Sequence, residues 1–146
     1  MVTNTRTVHT TPDQVWEVLA DGWLYPLWVV GATRIRDVEQ AWPAVGSKIH
    51  HSVGVWPAVI DDNTEVLACE PGRSLRLRAR GWPLGEAEVE VRLTAQGAGT
   101  LVEISEDAVS GPGRFVPEPL KGASIKVRNV ETLKRLAMVA EGRTPR

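Results

Sequence analysis

The chain has 146 residues, and its 17 lysines and arginines stand against 18 aspartates and glutamates. This length suits one domain with one hydrophobic core, residues 1–146, with a short flexible tail from about 142. The near balance of charge leaves no long-range field to draw the chain to nucleic acid or to an anionic membrane, so neither is an expected partner.

Residues 2–9 read as a first strand. Thr11-Pro12-Asp13-Gln14 then opens a helix, with Thr11 as N-cap, Pro12 at the first helical position and Gln14 three residues past the cap. Val15, Trp16, Val18 and Leu19 follow at helical spacing up to Asp21-Gly22, where glycine can end it. Trp23 to Trp28 is a second short apolar segment, interrupted by Pro26, and reads as a broken helix that can serve as a lid. From there to residue 110 the pattern is all strand. Strand two covers about 31–40 and strand three about 47–55, separated by Trp42-Pro43-Ala44-Val45-Gly46. Strand four runs to about 70, Pro71-Gly72 turns into strand five at 73–81, and Trp82-Pro83-Leu84-Gly85 turns into strand six at 86–95. Gln96-Gly97-Ala98-Gly99 precedes strand seven at 100–109. The one long helix, about 120–141, comes after all of them.

Strands five and six alternate cleanly. Leu75, Leu77 and Ala79 interleave with Arg76, Arg78 and Arg80, while Ala87, Val89, Val91 and Leu93 interleave with Glu86, Glu88 and Glu90. A tight turn at 82–85 sets the three arginines opposite the three glutamates, so the two rows fix the register and leave one face wet. Extending the alternation puts Ile49, His51, Val53 and Val55 on the inner face of strand three, and Val102, Ile104, Glu106 and Ala108 on that of strand seven. Glu106 is the informative one: an inward carboxylate calls for water, a partner or a ligand, unless a bulge near Asp107 turns it outward. His51 reads as a satisfied core or pocket-wall histidine before it reads as a catalytic base.

A helical wheel of the last helix groups Val130, Leu133, Leu136, Ala137 and Ala140 as the core stripe. One turn earlier the same face carries Asn129, Lys126 and Gly122, so its C-terminal half reads as a plug and its N-terminal half as a roof over a polar part of a cavity. Asn129 is the expected hydrogen-bonding group, Lys126 either joins it or reaches out to water, and Arg128 falls on the outer face. Trp42, Trp56 and Trp82 each precede proline at a strand end. In a meander the turns of Trp56 and Trp82 share one end with the loop of Phe115, giving an aromatic rim, and Trp42 lies at the other end.

No phosphate loop, metal-spaced His/Cys/carboxylate cluster or nucleophile elbow is present, so no cofactor and no metal is expected. The lone Cys69 cannot form an internal disulfide, and Arg6 and His9 stand where a signal peptide would need an apolar stretch. No apolar run approaches the ~18 residues of a membrane span. A cytoplasmic protein without integral membrane association is the expectation.

Thr11-Pro12 with Val15-Trp16, the Asp21 to Trp28 stretch, Pro71, Glu106 with Gly111-Pro112, and Arg128-Asn129-x-Glu131-x-Leu133 occur in an order that resembles the START/Bet v 1-like (SRPBCC) superfamily. Within it the chain is most similar to the polyketide cyclase/dehydrase and lipid-transport group of small bacterial proteins. The resemblance implies an α+β helix-grip fold: a curved, seven-stranded antiparallel sheet in β-α-α-β6-α order around a long C-terminal helix, enclosing an internal cavity. It implies carriers, cyclases, dehydratases and protein-binding relatives alike, so function must come from the site. The leading expectation is binding of an apolar or aromatic small molecule, a lipid or polyketide-like metabolite. Its wall is drawn from Trp28, His51, Val53, Trp56, Leu77, Ala79, Trp82, Val89, Val91, Ile104, Glu106, Phe115, Lys126, Asn129 and Leu133. The alternatives are a polyketide cyclase or dehydratase with His51 or Glu106 as proton shuttle, and a protein-interaction module resembling the heat-shock-chaperone activators. Oligomeric state, including a homodimer, stays open.

Overall fold

The computed structural model describes residues 2–30, 32–53, 60–81, 85–110, 115 and 117–143. The elements follow as β1 (Val2–Val8), α1 (Pro12–Ala20), a 3-10 turn (Gly22–Leu24), α2 (Tyr25–Trp28), β2 (Ala32–Val38), β3 (Lys48–Val53), β4 (Ile60–Glu70), β5 (Ser74–Gly81), β6 (Gly85–Gln96), β7 (Gly99–Ser110) and α3 (Glu118–Arg143). Among the described residues seven strands form one antiparallel sheet in the order β1-β7-β6-β5-β4-β3-β2. The expected meander is therefore present, with β1 returning to pair with β7.

Local chemistry accounts for the helix boundaries. The Thr11 hydroxyl accepts from the Gln14 amide at 3.3 Å, Pro12 fills the first turn, and Asp21 ends α1 before its side chain accepts from the Trp23 amide at 3.1 Å. Asp21 thus closes one helix and caps the next turn, which is what breaks the segment into separate pieces. The register of β5 on β6 sets Arg76 opposite Glu90, Arg78 opposite Glu88 and Arg80 opposite Glu86, as the alternation predicts. The side chains connect partly on the diagonal: Arg76 and Arg78 both reach Glu88, at 2.6 and 3.0 Å, and Arg80 reaches Glu86 at 2.5 Å. Such exposed pairs stabilise by a few tenths of a kcal/mol each, roughly 0.2 to 1, so their main effect is to forbid a one-residue slip.

The strand pairings order the inner face into rows. Ile49, Thr64, Ala79, Ala87 and Ala108 form one row, and Val66, Leu77, Val89, Glu106 and Val2 form the next. A third joins Leu75, Val91 and Ile104 to Asn4. Beyond it the face is apolar through Leu93, Val102 and Val8, all buried. The inner face is therefore greasy at one end and small or polar at the other.

Helix α3 follows the same gradient. Leu133, Leu136, Ala137 and Ala140 are buried in its C-terminal half, while Ile125, Asn129 and Thr132 are the buried residues further towards its start. The buried arc is centred on Asn129, Leu136 and Ala140. Val130, expected in the core stripe, lies about 100° from that centre and is 58% exposed. Lys126 is also exposed, so it does not join the inner polar group; its backbone carbonyl instead accepts from Asn4 Nδ2 at 3.2 Å. Gly122 packs where an added Cβ would lie 3.7 Å from Val2, which lays the start of α3 over the Glu106 end of β1 and β7.

Candidate functional site

Two side-chain groups meet at the polar end of the inner face. The first is built on α2 and the β3–β4 pair. His51 Nε2 lies 2.7 Å from Thr64 Oγ1, and the Tyr25 hydroxyl lies 3.1 Å from the same oxygen. The Tyr25 ring stacks on the His51 imidazole at 5.7 Å and 12°, and meets Trp28 edge-on at 5.5 Å. The broken helix causes this: Pro26 starts α2, and its single turn points both Tyr25 and Trp28 at the sheet. All four residues are buried, His51 and Trp28 to 2% exposure.

Burial dominates the titration of this group. It lowers the His51 imidazole from its ordinary value, with Asp62 opposing and Arg36 and His50 reinforcing the shift. It raises the Tyr25 phenol, against its hydrogen bond with Thr64 and the positive charge of Arg128. At neutral pH the triad is therefore an uncharged imidazole, a hydroxyl and an un-ionised phenol.

The second group joins β7 to α3. Glu106 points inward and is 6% exposed, and its carboxylate is held by the Arg128 guanidinium. This corrects the placement of Arg128 on the outer face. Its Cα sits about 100° from the centre of the buried arc, as far to one side as Val130 is to the other. The long side chain nevertheless reaches back to the carboxylate, which would otherwise be buried alone. Asn129, next to Arg128 in α3, is 1% exposed, and α2 packs against α3, which brings the two groups towards one another.

Among the described residues, three buried nitrogens here have no hydrogen-bond partner, His51 Nδ1, Trp28 Nε1 and Asn129 Nδ2, and neither has one buried oxygen on the same face, Asn4 Oδ1. Native interiors leave few such atoms, and each calls for an explanation. Nearby, Ala79, Ala87, Val89 and Ala108 on the inner face remain only partly buried. The helix does not fully cover them.

Of the residues expected to line a cavity, Trp28, His51, Leu77, Val91, Ile104, Glu106, Asn129 and Leu133 are buried in the interior, and Ala79 and Val89 are half-buried beside them. Lys126 is exposed, and Phe115 is 76% exposed. The expectations for Trp56 and Trp82, and for the side chain of Val53, fall outside the described residues. Trp42 closes the far end of the core, donating from Nε1 to the Leu19 carbonyl at 3.3 Å. Tyr25, Thr64 and Arg128 were not picked out from the sequence. Tyr25 is the only tyrosine of the chain and flanks the proline of the broken helix. Thr64 is the one hydroxyl two residues from the buried Val66. Elsewhere an open groove of about 440 Å³ runs between the end of α1 and the turn after β2, lined by Glu17, Asp21, Trp23, Glu39 and Trp42 among others; it shares no residue with the buried groups.

Comparison with known proteins bears on this arrangement. The model of a family described as "Polyketide cyclase / dehydrase and lipid transport" matches residues 1–141. No curated protein matches the sequence. Among solved structures, protein NE0264 from Nitrosomonas europaea superposes with a TM-score of 0.72 at 13% identity, covering 98% of this chain and 95% of that one. Ara h 8.0201 gives 0.70 at 12% identity, with 97% of each chain covered. The di-domain ARO/CYC StfQ from the steffimycin biosynthetic pathway gives 0.73 at 13% identity, where 97% of this chain spans 50% of StfQ. At these identities the likeness is one of fold. No helix among the described residues is long and apolar enough to cross a membrane.

Proposed function

We propose that this chain, which belongs to the polyketide cyclase/dehydrase and lipid transport family, binds an apolar or aromatic small molecule between the polar end of its sheet and the first half of α3. One observation carries the reading: three buried nitrogens without partners stand in a region whose floor is alanine and valine rather than large side chains. A fold selected only for stability fills such a place with leucine and leaves no polar atom unpaired. A ligand with an apolar body and a few oxygens would meet both needs, covering the small side chains while accepting hydrogen bonds. The Tyr25, His51 and Trp28 rings, the first two stacked and the third edge-on to Tyr25, suit a flat, aromatic body.

Thermal-shift measurements and native mass spectrometry against fatty acids and flat aromatic polyketide-like compounds test this. A ligand present at 100 times its dissociation constant stabilises by about 2.7 kcal/mol, or about 8 °C for a chain of this size. No shift and no bound species with any member of either set would overturn the proposal.

A catalytic reading has one specific observation in its favour. His51 is uncharged at neutral pH and linked to two hydroxyls, a suitable arrangement for handling a proton in a cyclisation or dehydration. Glu106 is the poorer shuttle because Arg128 already engages it. His51→Ala should abolish turnover of a poly-ketone substrate in a protein that still folds; undiminished turnover would exclude the role.

A further inference from the structure

The hydrogens of the Tyr25, Thr64 and His51 chain can be assigned by counting. Tyr25 and Thr64 have one hydroxyl hydrogen each, and Thr64 Oγ1 touches both Tyr25 Oη and His51 Nε2. If Tyr25 donates to Thr64 and Thr64 donates to Nε2, each hydroxyl hydrogen finds an acceptor and the imidazole proton sits on Nδ1. In the reverse direction Nε2 donates to Thr64, Thr64 donates to Tyr25, and the Tyr25 hydrogen is left inside the protein with no acceptor among the described contacts. Each direction leaves one buried donor unpaired, Nδ1–H in the first and the Tyr25 hydroxyl in the second, but the second also leaves bare Nδ1 as a buried acceptor without a partner, so it is the costlier choice.

We infer that Tyr25 and Thr64 are positioning residues that hold neutral His51 in its Nδ1–H tautomer, so that His51 joins Trp28 in presenting N–H donors that favour ligands bearing a carbonyl-type oxygen. The inference rests on the ligand-binding proposal and adds to it the polarity of the recognising atoms. Trp28 Nε1 and Asn129 Nδ2 can only donate, and with His51 Nδ1–H they make three unpartnered donors against one unpartnered acceptor, Asn4 Oδ1, at the β1 edge of the inner face. The ligand must therefore bring acceptors. A ketone or quinone oxygen, an acceptor with no hydrogen of its own, suits such donors.

Nitrogen-15 NMR of the His51 ring in the ligand-free protein reads the tautomer directly. Nδ1 should be protonated and Nε2 bare; Thr64→Val should change that pattern, and Thr64→Ser should restore it. The ligand arm compares anthraquinone with anthracene, which share a flat shape and differ in two carbonyl oxygens. Anthraquinone should bind the wild-type protein about tenfold more tightly, and the preference should shrink towards parity in Thr64→Val. A proton on Nε2 in the wild-type protein would overturn the tautomer assignment, and it can be measured even if the variant does not fold. Equal affinity for the two compounds would overturn the carbonyl selectivity. Binding of neither compound would overturn the ligand-binding proposal and the selectivity with it, while the NMR result still decides the tautomer.

Discussion

Removing one member of the Glu106–Arg128 pair should cost very different amounts depending on which member is removed. The side chain of Glu106 is 7% exposed and that of Arg128 is 38% exposed. Arg128→Met strands a carboxylate in the interior with no counter-ion. Breaking a fully buried pair this way costs about 3–5 kcal/mol, and the partial exposure of the guanidinium reduces the expected loss to about 2–3 kcal/mol. At about 3 °C per kcal/mol the melting temperature should fall by about 6–9 °C. Glu106→Gln leaves a long cation that can turn its head to water and an amide oxygen that can still accept from it. That loss should be about 1 kcal/mol, or about 3 °C. The double variant should melt above Arg128→Met alone, because the second change removes the stranded charge created by the first. Urea titrations followed by tryptophan fluorescence, alongside thermal melts, measure all three. If Glu106→Gln costs as much as Arg128→Met, or the two losses simply add, the inward carboxylate does not depend on this arginine and the electrostatic account of the site is wrong.

The burial pattern of α3 makes a paired prediction: Val130→Lys should alter stability by no more than about 0.5 kcal/mol, whereas Leu133→Ala should cost about 2–5 kcal/mol, both read from urea midpoints. Because burial lowers the His51 pKa, the unfolded chain takes up that proton first as pH falls. Stability should therefore decline with acidification from about pH 6.5 downward, more steeply in the wild-type protein than in His51→Gln; identical slopes would remove His51 from the acid response. Gly99 leaves no room for a side chain, since an added Cβ would lie 2.7 Å from the Val8 carbonyl oxygen. Gly99→Ala should cost about 1–3 kcal/mol in thermal and urea melts by forcing β1 and β7 apart, and an unchanged midpoint would show that the strand pair can yield.

What the sequence made legible was mostly periodic. Alternation over Leu75 to Arg80 and Glu86 to Leu93 gave the register of β5 on β6, and it placed His51 and Glu106 inward because strand period two leaves only two faces to choose between. A helix offers a continuum of directions instead. The wheel found the buried half of α3 but set its centre too far towards Val130, and the same rotational error sent Arg128 outward. Tyr25 and Thr64 were hidden for another reason: their roles arise from a contact between residues 39 positions apart, which no local pattern encodes. The electrostatic requirement was nonetheless visible. An inward glutamate in an apolar sheet demands a cation, and the face opposite strand seven offered Lys126 and, next to Asn129, Arg128. Of these, only the residue whose backbone sits at the edge of the buried arc and whose side chain is long and always charged could satisfy the demand without burying its own backbone surroundings in charge. The inward carboxylate was thus the more informative residue: it indicated that the nominal outer edge of the helix had to reach inside, and so that the roof of the site is polar at Asn129 and on its Arg128 flank.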